Sequence, residues 1–455
     1  MGPVGCLLLG LLLLLAFLLY LRLHPFLSLL LTSAVVALAS DRIPAAEALP
    51  TVAAGFADLM GKIGILLVLA AVVGKCLVDS GAADRIIRAF TAWFGEGREA
   101  WALLASGFVL SIPVFFDTVF YLLAPLVWAA YARTGRNYAL LICAAGIGAA
   151  VTHALVPPTP GPIVMAEVLE VPLLTMFGMG LVLSLVPGII AGIGYGRWID
   201  RRLAIAPRAV VGMDREELAA AARRPLDQLP GLLSSLLPIA LPVLLISVGT
   251  LGQLYAGKEE RTALGTLWVV LGDKNLAFLV GAGVAVALVA SRPGKRLRDV
   301  LPGLEDAVMA GAMISFITCG GGAFGYVLTQ IGVGDVVAAA ARHWGVSLLL
   351  LSFLTAALIR VVQGSATVAM ITTAGIVAPT LAAQPAGVHP VYLAAAIGFG
   401  ATTTSWMNDS GFWLVGKMMG LDTSETLKTW TAAETVLAVS GFLWCWLLAT
   451  LFPLV

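Results

Sequence analysis

The chain has 455 residues, of which 60% are hydrophobic and only 12% are charged. Soluble domains carry about 25% charged residues, so this composition excludes an ordinary soluble domain. The formal net charge of +1 does not suggest nucleic acid as a partner, and we expect none. Apolar runs recur along the whole length, and about 20 such residues cross a bilayer. The sequence therefore predicts an all-α, polytopic transmembrane helical bundle.

The apolar runs begin near the first residue and continue to the last. Five of them are Val4–Leu21, Ile63–Val78, Leu232–Ser247, Leu276–Ala290 and Val436–Leu451. The first run is preceded by no positive charge and followed by no clear cleavage site, so we expect a transmembrane helix there and not a signal peptide. The five cysteines are scattered without a CxxC pair, which indicates neither a disulfide nor a metal site. We expect no cofactor and no catalytic residues.

The charged loops divide the chain into two transmembrane halves. The longest polar segment, 197–228, is rich in arginine, and the positive-inside rule places it in the cytoplasm. We expect an N-terminal half over residues 1–198, a cytoplasmic loop over 199–228 and a C-terminal half over 229–455. Each half is expected to contain one hairpin and one broken helix. The short polar stretch 257–261 is expected to face outward.

Two places in the first half interrupt apolar sequence. They read SIPVFFDT (111–118) and THALVPPTPGP (152–162). Proline lacks an N–H and clashes with the preceding turn, so both stretches predict a break in a helix. Broken backbone at membrane depth is tolerated only where it is buried in protein or lines a cavity. The breaks therefore indicate a binding site, although the alternative is that they are kinks that serve only helix packing.

The second half contains two candidate counterparts, TCGGGAFG (318–325) and QGSAT (363–367). Pairing Pro113 with Gly320 and Pro158 with Ser365 gives the same offset of 207 (320 − 113 and 365 − 158). Interruptions at corresponding positions of two halves are typical of transporter repeats. We therefore expect two structural repeats with re-entrant hairpins and broken helices. Inversion of the repeats requires a further crossing before the glycine run, which the loop charges leave open.

Helix restarts at the breaks favour an anion. We expect one restart near Pro162, because proline suits a first helical turn, and another after Gly364 or Ser365 with a hydroxyl residue as N-cap. Helix N-termini carry partial positive charge, so two facing restarts would bind a carboxylate. Hydroxyl groups of Thr152, Thr159, Ser365 and Thr367 could bind a polyol or a carboxylate oxygen.

Several charged or titratable side chains lie close to the breaks. Asp117 has apolar neighbours, and desolvation would favour its protonated form, which suits a proton carrier; capping or pairing is the alternative. His153 titrates near neutral pH, but a lone histidine is also a common packing residue. Arg360 could hold a substrate carboxylate by two hydrogen bonds; the alternative is that it snorkels to an interface or pairs with a buried acid. Asp409, with its polar neighbours, could bind substrate or a cation, or could be an ordinary helix cap.

Four motifs, in this order, resemble the gluconate permease family (GntP), which belongs to the ion transporter superfamily. They are SIPVFFDTVFYLLAPL, THALVPPTPGP, RVVQGSATVAMITTAG and NDSGFWLVGKMMG followed by TLKTW. The family usually has glutamate where this chain has Asp117, and histidine where it has Thr159, so the resemblance implies a carboxylate symporter more than gluconate itself.

The resemblance implies a multi-pass protein of the bacterial inner (plasma) membrane that moves a small anionic organic substrate together with protons. It also implies inverted repeats, a homodimer and an elevator-like movement between two faces. Asp117 is the expected proton-coupling residue. The expected substrate-binding residues are Thr152, His153, Pro158, Thr159, Gly161, Arg360, Gln363, Gly364, Ser365, Thr367, Asn408, Asp409 and Ser410.

Two alternatives remain open at the level of sequence. The same fold could couple to Na⁺, with backbone carbonyls at the breaks and oxygen atoms of Ser365, Thr367 and Asn408 as ligands. A membrane-embedded enzyme would need an acid/base pair, which Asp117 and His153 could supply, but no catalytic signature accompanies them. The sequence also lacks the GxxxxGK[ST] phosphate loop of ATP hydrolysis.

Overall fold

The structure is a computed structural model that describes residues 1–21, 23–95, 97–203, 205, 226–256, 263–292, 297–333, 335–336, 339, 347–383, 387–407 and 409–454. The described residues form helices and turns, with no strand among them. Most of the expected cytoplasmic loop 199–228, the whole outward stretch 257–261 and Asn408 lie outside these ranges. The all-α expectation is confirmed.

The helices follow one another along the chain in an N-terminal and a C-terminal part. The N-terminal part contains α1 Pro3–Leu15, α2 Pro25–Ala39, α3 Ala45–Asp79, α4 Ala82–Phe94, α5 Glu99–Leu110, α6 Phe116–Thr134, α7 Tyr138–Leu155, α8 Pro160–Val168, α9 Leu173–Ile189 and α10 Gly196–Asp200. The C-terminal part contains α11 Leu232–Ala256, α12 Ala263–Gly272, α13 Lys274–Ala290, α14 Leu297–Ile331, α15 Leu348–Gln363, α16 Ala366–Ala383, α17 Pro390–Ala401, α18 Ser410–Met418, α19 Thr423–Thr426 and α20 Ala432–Leu451. A π-helical turn, Ile190–Tyr195, joins α9 to α10.

Many of these helices suit a bilayer. Within the described residues, seven helices are long and apolar enough to cross a membrane, or eight if one bent pair counts as a single span. Large apolar side chains such as Leu12, Leu233 and Leu358 are exposed, each by more than 60%. Exposed leucine on this scale faces lipid in a polytopic protein, because the bilayer is as apolar as the side chain.

The two parts of the chain repeat the same sequence of helices. Both α3 and α14 have 35 residues, with an offset of 252 (297 − 45), and each contains a proline, Pro50 and Pro302, at the same place. Both α8 and α18 have nine residues, with an offset of 250 (410 − 160). The turns that follow match as well, since Val171 N–H donates to Ala166 O and Leu421 N–H donates to Gly416 O, both at 2.8 Å.

The long helices α3 and α14 pack against each other in opposite directions. Near the start of α3, Gly55 faces Ala323 and Tyr326 of α14. Further along, the Ser315 hydroxyl lies 3.5 Å from Gly64 O. Gly311 then faces Val68 and Ala71. Equivalent helices of the two repeats therefore run antiparallel, which is the relation that inverted repeats require.

The expected break at TCGGGAFG is wrong. Residues 318–325 lie inside the uninterrupted helix α14, so the offset of 207 does not describe the repeat. The glycines serve close packing instead: a Cβ on Gly325 would lie 2.8 Å from the Cα of Gly375 on α16. With the offset near 250, the break at 111–115 corresponds to the break at 364–365. The proline-rich break at 156–159 corresponds to the segment 402–409.

Adding a methyl group at Gly325 should destabilise the protein. Gly325→Ala places a Cβ against backbone that cannot rotate away, and overpacking of this kind costs about 1–3 kcal/mol. Thermal unfolding of purified protein in detergent measures the loss. Gly283→Ala in α13 is the matched control, because no atom lies within 4 Å of the added methyl group; it should be neutral or slightly stabilising. Equal melting temperatures for the two variants would contradict the contact.

Candidate functional site

A cavity of about 410 Å³ lies where three of the breaks meet. The first turns of α6, α16 and α18 supply much of its wall, and the ends of α7 and α15 and the start of α20 complete it. Three helix N-termini around one space place partial positive charge there. The side chains that carry chemistry on this wall are Asp117, Thr118, His153, Arg360, Ser365, Thr367, Thr402, Asp409, Ser410, Trp430 and Glu434.

The first break places Asp117 on the cavity. Helix α5 ends at Leu110, and α6 restarts at Phe116 after a turn that contains Pro113. Asp117 lies in the first turn of α6, where a negative charge is stabilised by the helix dipole, and its side chain is exposed to the cavity. The Phe116 ring stacks on the buried Trp430 ring at 5.0 Å between centroids, which fixes the position of this restart.

The equivalent break in the second repeat, at residues 364–365 between α15 and α16, is capped as the sequence predicts. Gly364 ends α15 in the left-handed region at φ 89°, which glycine adopts without strain. Ser365 then caps α16, because its Oγ accepts the N–H of Val368 at 3.4 Å. The restart expected after Gly364 or Ser365 is confirmed. Ser365 and Thr367 both line the cavity.

Arg360 lies on the cavity wall, where it is buried and forms ion pairs with two acids. Its exposed fraction is 3%. Its Nη2 lies 2.7 Å from Asp409 Oδ2 and 3.4 Å from Glu434 Oε2, and its Nη1 donates to Gly364 O. Of the two interpretations left open by the sequence, pairing with a buried acid is the one that this geometry shows. We call Arg360, Asp409 and Glu434 the buried triad.

Asp409 is fixed from several sides. One carboxylate oxygen accepts the N–H of Gly411 at 3.2 Å, which makes Asp409 the N-cap of α18. The other oxygen accepts from both Arg360 and the Ser405 hydroxyl. Ser405 in turn accepts the indole N–H of Trp430 at 2.7 Å. Asp409 is therefore a helix cap, one of the two roles that the sequence left open, and also the partner of Arg360.

The proline-rich break 156–159 lies away from the cavity. The Thr159 hydroxyl donates to His153 O at 2.9 Å and to Val156 O at 2.7 Å, so it satisfies carbonyl groups at the end of α7. Helix α8 begins at Pro160, two residues before the expected Pro162, with both prolines in the first turn where no N–H is needed. The Thr152 hydroxyl lies 3.4 Å from Gly148 O.

The remaining expected residues of this break are also used for packing. Pro158 lines a separate, small apolar cavity together with Pro113 and Pro157. Gly161 packs against Met370 of α16. By the offset of 250, the counterparts of Thr152, Thr159 and Gly161 are Thr402, Asp409 and Gly411, and those three line the cavity. The structure thus places the cavity at the break 402–409 of the second repeat, and not at the equivalent break 156–159 of the first. The side chain of Gln363 and all of Asn408 lie outside the described residues.

Sequence reasoning missed Glu434. This residue is absent from the expected site residues, yet it is 4% exposed and contacts Arg360. The signal was present, because Glu434 lies in α20 just before the apolar run Val436–Leu451, and an ionisable residue within a membrane helix indicates a functional site by default. Glu434 was not expected in the site because it lies far from the breaks in the sequence, 74 positions after Arg360.

The comparison with known proteins decides the family. Residues 3–451 match the family model described as GntP family permease. The chain belongs to the GntP permease family. A gluconate permease of Pseudomonas aeruginosa is 34% identical over 429 residues, which cover 94% of this chain and 93% of that protein. The Gnt-II system L-idonate transporter of Escherichia coli is 31% identical over 434 residues, covering 95% and 96%.

A solved structure shows a similar fold. The YdaH transporter of Alcanivorax borkumensis, described as having an unusual topology, superposes with a TM-score of 0.60 over 89% of this chain and 88% of that chain, at 16% identity. This likeness concerns the fold alone. Family membership makes the protein a GntP permease, a transporter and not an enzyme, and a multi-pass protein of the inner membrane. The membrane-enzyme alternative is thereby set aside.

The internal repeat supplies an uncharged version of the buried triad. The positions 250 residues before Arg360, Asp409 and Glu434 hold Leu110, Thr159 and Ser184. Arg360→Leu alone should destabilise this GntP permease by about 3–5 kcal/mol, because two buried carboxylates lose their partner. The triple variant Arg360→Leu, Asp409→Thr, Glu434→Ser should recover most of that stability but none of the transport.

Thermal unfolding in detergent and uptake into vesicles measure the two effects. Lys75→Met is the control, because Lys75 and Asp79 form an ion pair that is about one-third exposed, lies outside both cavities and is worth at most about 1 kcal/mol. A triple variant as unstable as Arg360→Leu would show that the triad is not the source of the loss.

Proposed function

We propose that the protein moves a small hydroxy-carboxylate, such as gluconate or a related sugar acid, in symport with protons by alternating access. The relatives named as gluconate permease and L-idonate transporter, which match nearly the whole chain, support the substrate class. The cavity of about 410 Å³ is within the range of small-molecule sites. The homodimer and the two-half domain division remain predictions of the sequence.

The observation that carries the proposal is the chemistry of the cavity wall. The N-termini of α6, α16 and α18 present partial positive charge to one space, which suits a carboxylate. Hydroxyl groups of Ser365, Thr367, Thr402 and Ser410 line the same space and suit the hydroxyl groups of a sugar acid.

The charge balance of the cavity supports proton coupling. The cavity wall contains one arginine, Arg360, and three acids, Asp117, Asp409 and Glu434. An entering anion adds negative charge to a wall that already has an excess of it, and like charges repel more strongly in a low-dielectric site than in water. Protonation of an acid offsets the added charge. Asp117 is the proposed coupling residue, because it is the acid most exposed to the cavity.

The unequal packing of the two repeats supports alternating access. A second cavity of about 180 Å³ lies between α3, α8, α14 and α16, with Asp58 on its wall. Ala310, the counterpart of Asp58 at the offset of 252, lines the larger cavity. Inverted repeats that enclose unequal spaces on the two sides can exchange their packing, and the exchange would open the site toward the opposite face.

Uptake into proteoliposomes tests the proposed function. Under an inward proton gradient without sodium, one acid from a panel of sugar acids, hydroxy-acids and D-serine should accumulate, and a protonophore should collapse the gradient and the accumulation. Symport of one proton per anion gives about tenfold accumulation per pH unit, since one pH unit is worth 1.36 kcal/mol. Uptake that appears only after sodium is added would replace proton coupling by sodium coupling.

Removing the charge of Asp117 tests its coupling role. Asp117→Asn should abolish proton-driven accumulation, because an amide cannot carry the proton, while the protein remains folded. Asp41→Asn is the matched control, since Asp41 is exposed in the turn between α2 and α3. Normal accumulation by Asp117→Asn in the same vesicles would remove Asp117 from this role.

A further inference from the structure

The buried triad occupies one repeat only. Its three charged positions in the second repeat correspond to Leu110, Thr159 and Ser184 in the first, which carry no charge. Thr159 and Ser184 satisfy their hydroxyl groups with backbone carbonyls at 2.7 Å and 2.6 Å. The fold is therefore stable around an uncharged set of residues at these positions. The charges of the second repeat need an explanation other than the fold itself.

The two acids of the triad are held very differently. Asp409 accepts from the Gly411 N–H, the Ser405 hydroxyl and Arg360, so its carboxylate is anchored on three sides. Glu434 contacts Arg360 through one longer approach of 3.4 Å, and its exposed fraction is only 4%. Burial of an ionised carboxylate that its cation approaches only at this distance is costly, and the Ser405 hydroxyl, which also interacts with Glu434, already donates to Asp409. Glu434 is therefore the acid that can leave Arg360 at the lower cost.

The guanidinium of Arg360 is not fully used. Its Nε is buried and has no hydrogen-bond partner among the described residues. Nε and Nη2 form one edge of the guanidinium, and such an edge binds a carboxylate with two parallel hydrogen bonds. Glu434 reaches that side only through the 3.4 Å contact with Nη2, which also donates to Asp409 at 2.7 Å, and neither acid contacts Nε. Arg360 also lines the cavity, so a carboxylate in the cavity and Glu434 would compete for the same edge.

We propose that Glu434 is a proton-controlled competitor for Arg360: a proton taken up by Glu434 releases this edge of the guanidinium, and the carboxylate of the substrate replaces it. The inference rests on the proposed function and extends it to a residue and a role. The proton passes from water on the entry side by way of Asp117, the acid most exposed to the shared cavity, to the Glu434 carboxylate, so that one proton is moved with each anion. It returns to water on the exit side when the substrate leaves and Glu434 contacts Arg360 again. No covalent bond changes.

The charge of the triad is the same before and after this exchange. With both acids ionised the triad carries −1; one proton and one monoanionic substrate leave it again at −1. Beyond Arg360 and Asp409, the titratable groups on the cavity wall are Asp117 on α6 and His153 on α7. The helical turn between α9 and α10 packs beside α20 and carries one further titratable group, Tyr195. Its hydroxyl donates to Lys428 O, nearly two turns before Glu434 in the chain. Arg360 is the cation that faces Glu434.

Substrate affinity as a function of pH tests the competition. In the wild type, binding coupled to one proton should weaken by up to about tenfold per pH unit once the pH exceeds the value at which Glu434 ionises in the substrate-free protein. Glu434→Gln cannot compete through a charge, so its affinity at alkaline pH should approach that of the wild type at acidic pH. A residue with a merely structural role would instead lower the affinity at acidic and alkaline pH alike. That result, or an unchanged pH dependence, would overturn the proposal.

Controls separate the possible failures. Glu47→Gln, at an exposed position in the first turn of α3, should behave as the wild type. If Glu434→Gln does not fold, Glu434→Asp keeps a carboxyl group one methylene farther from Arg360 and should show a smaller loss of affinity as the pH rises from acidic to alkaline. An unchanged loss would overturn the proposal.

A measurement without substrate distinguishes this inference from the proposed function. On acidification, the infrared spectrum of the wild type should gain the carbonyl band of a buried carboxylic acid that Glu434→Gln lacks. If no sugar acid is transported, the proposed function fails, and this band still decides whether Glu434 takes up a proton. The same band in both proteins would assign the proton elsewhere and overturn the proposal.

Discussion

The contact of Arg360 with Asp409 and Glu434 is the interaction on which the rest of the site depends. A buried guanidinium is tolerated only when acids and carbonyl groups satisfy it, and in this protein these come from three separate parts of the chain. Through Asp409 it fixes the restart of α18, through Gly364 O the restart of α16, and through Glu434 the position of α20. The cavity exists because these elements converge on one buried cation.

The architecture that brings them together is a pair of inverted repeats around two long helices. Helices α3 and α14 are equivalent in length and in the place of their proline, and they pack antiparallel through glycines on both. Close approach of backbone is what holds helices together in lipid, where apolar side chains gain little from leaving the solvent. The glycine run of α14 belongs to this packing, which is why it does not break the helix.

The repeats share a backbone but differ in chemistry. The turn after α7 uses prolines and the Thr159 hydroxyl to satisfy its own carbonyl groups, whereas the turn after α17 places Asp409 beside Arg360. One repeat thus supplies a neutral break and the other a charged one. In this GntP permease the asymmetry sets the charge of the cavity, and with it the proposed dependence of anion binding on protons.

The sequence by itself determined the class of the protein, because a bilayer requires apolar segments long enough to cross it, and composition and apolar runs show these directly. It also determined the family, and the breaks at 111–118 and 363–367, because proline and glycine act on the backbone locally. Only the tertiary structure decided which breaks share a cavity, that Thr159 turns inward to its own helix while Asp409 faces Arg360, and that Glu434 completes the site. The contacts of Arg360 with Asp409 and Glu434 join residues 49 and 74 positions apart, and the shared cavity joins both halves of the chain. Such contacts are set by how helices pack, and no local pattern records them.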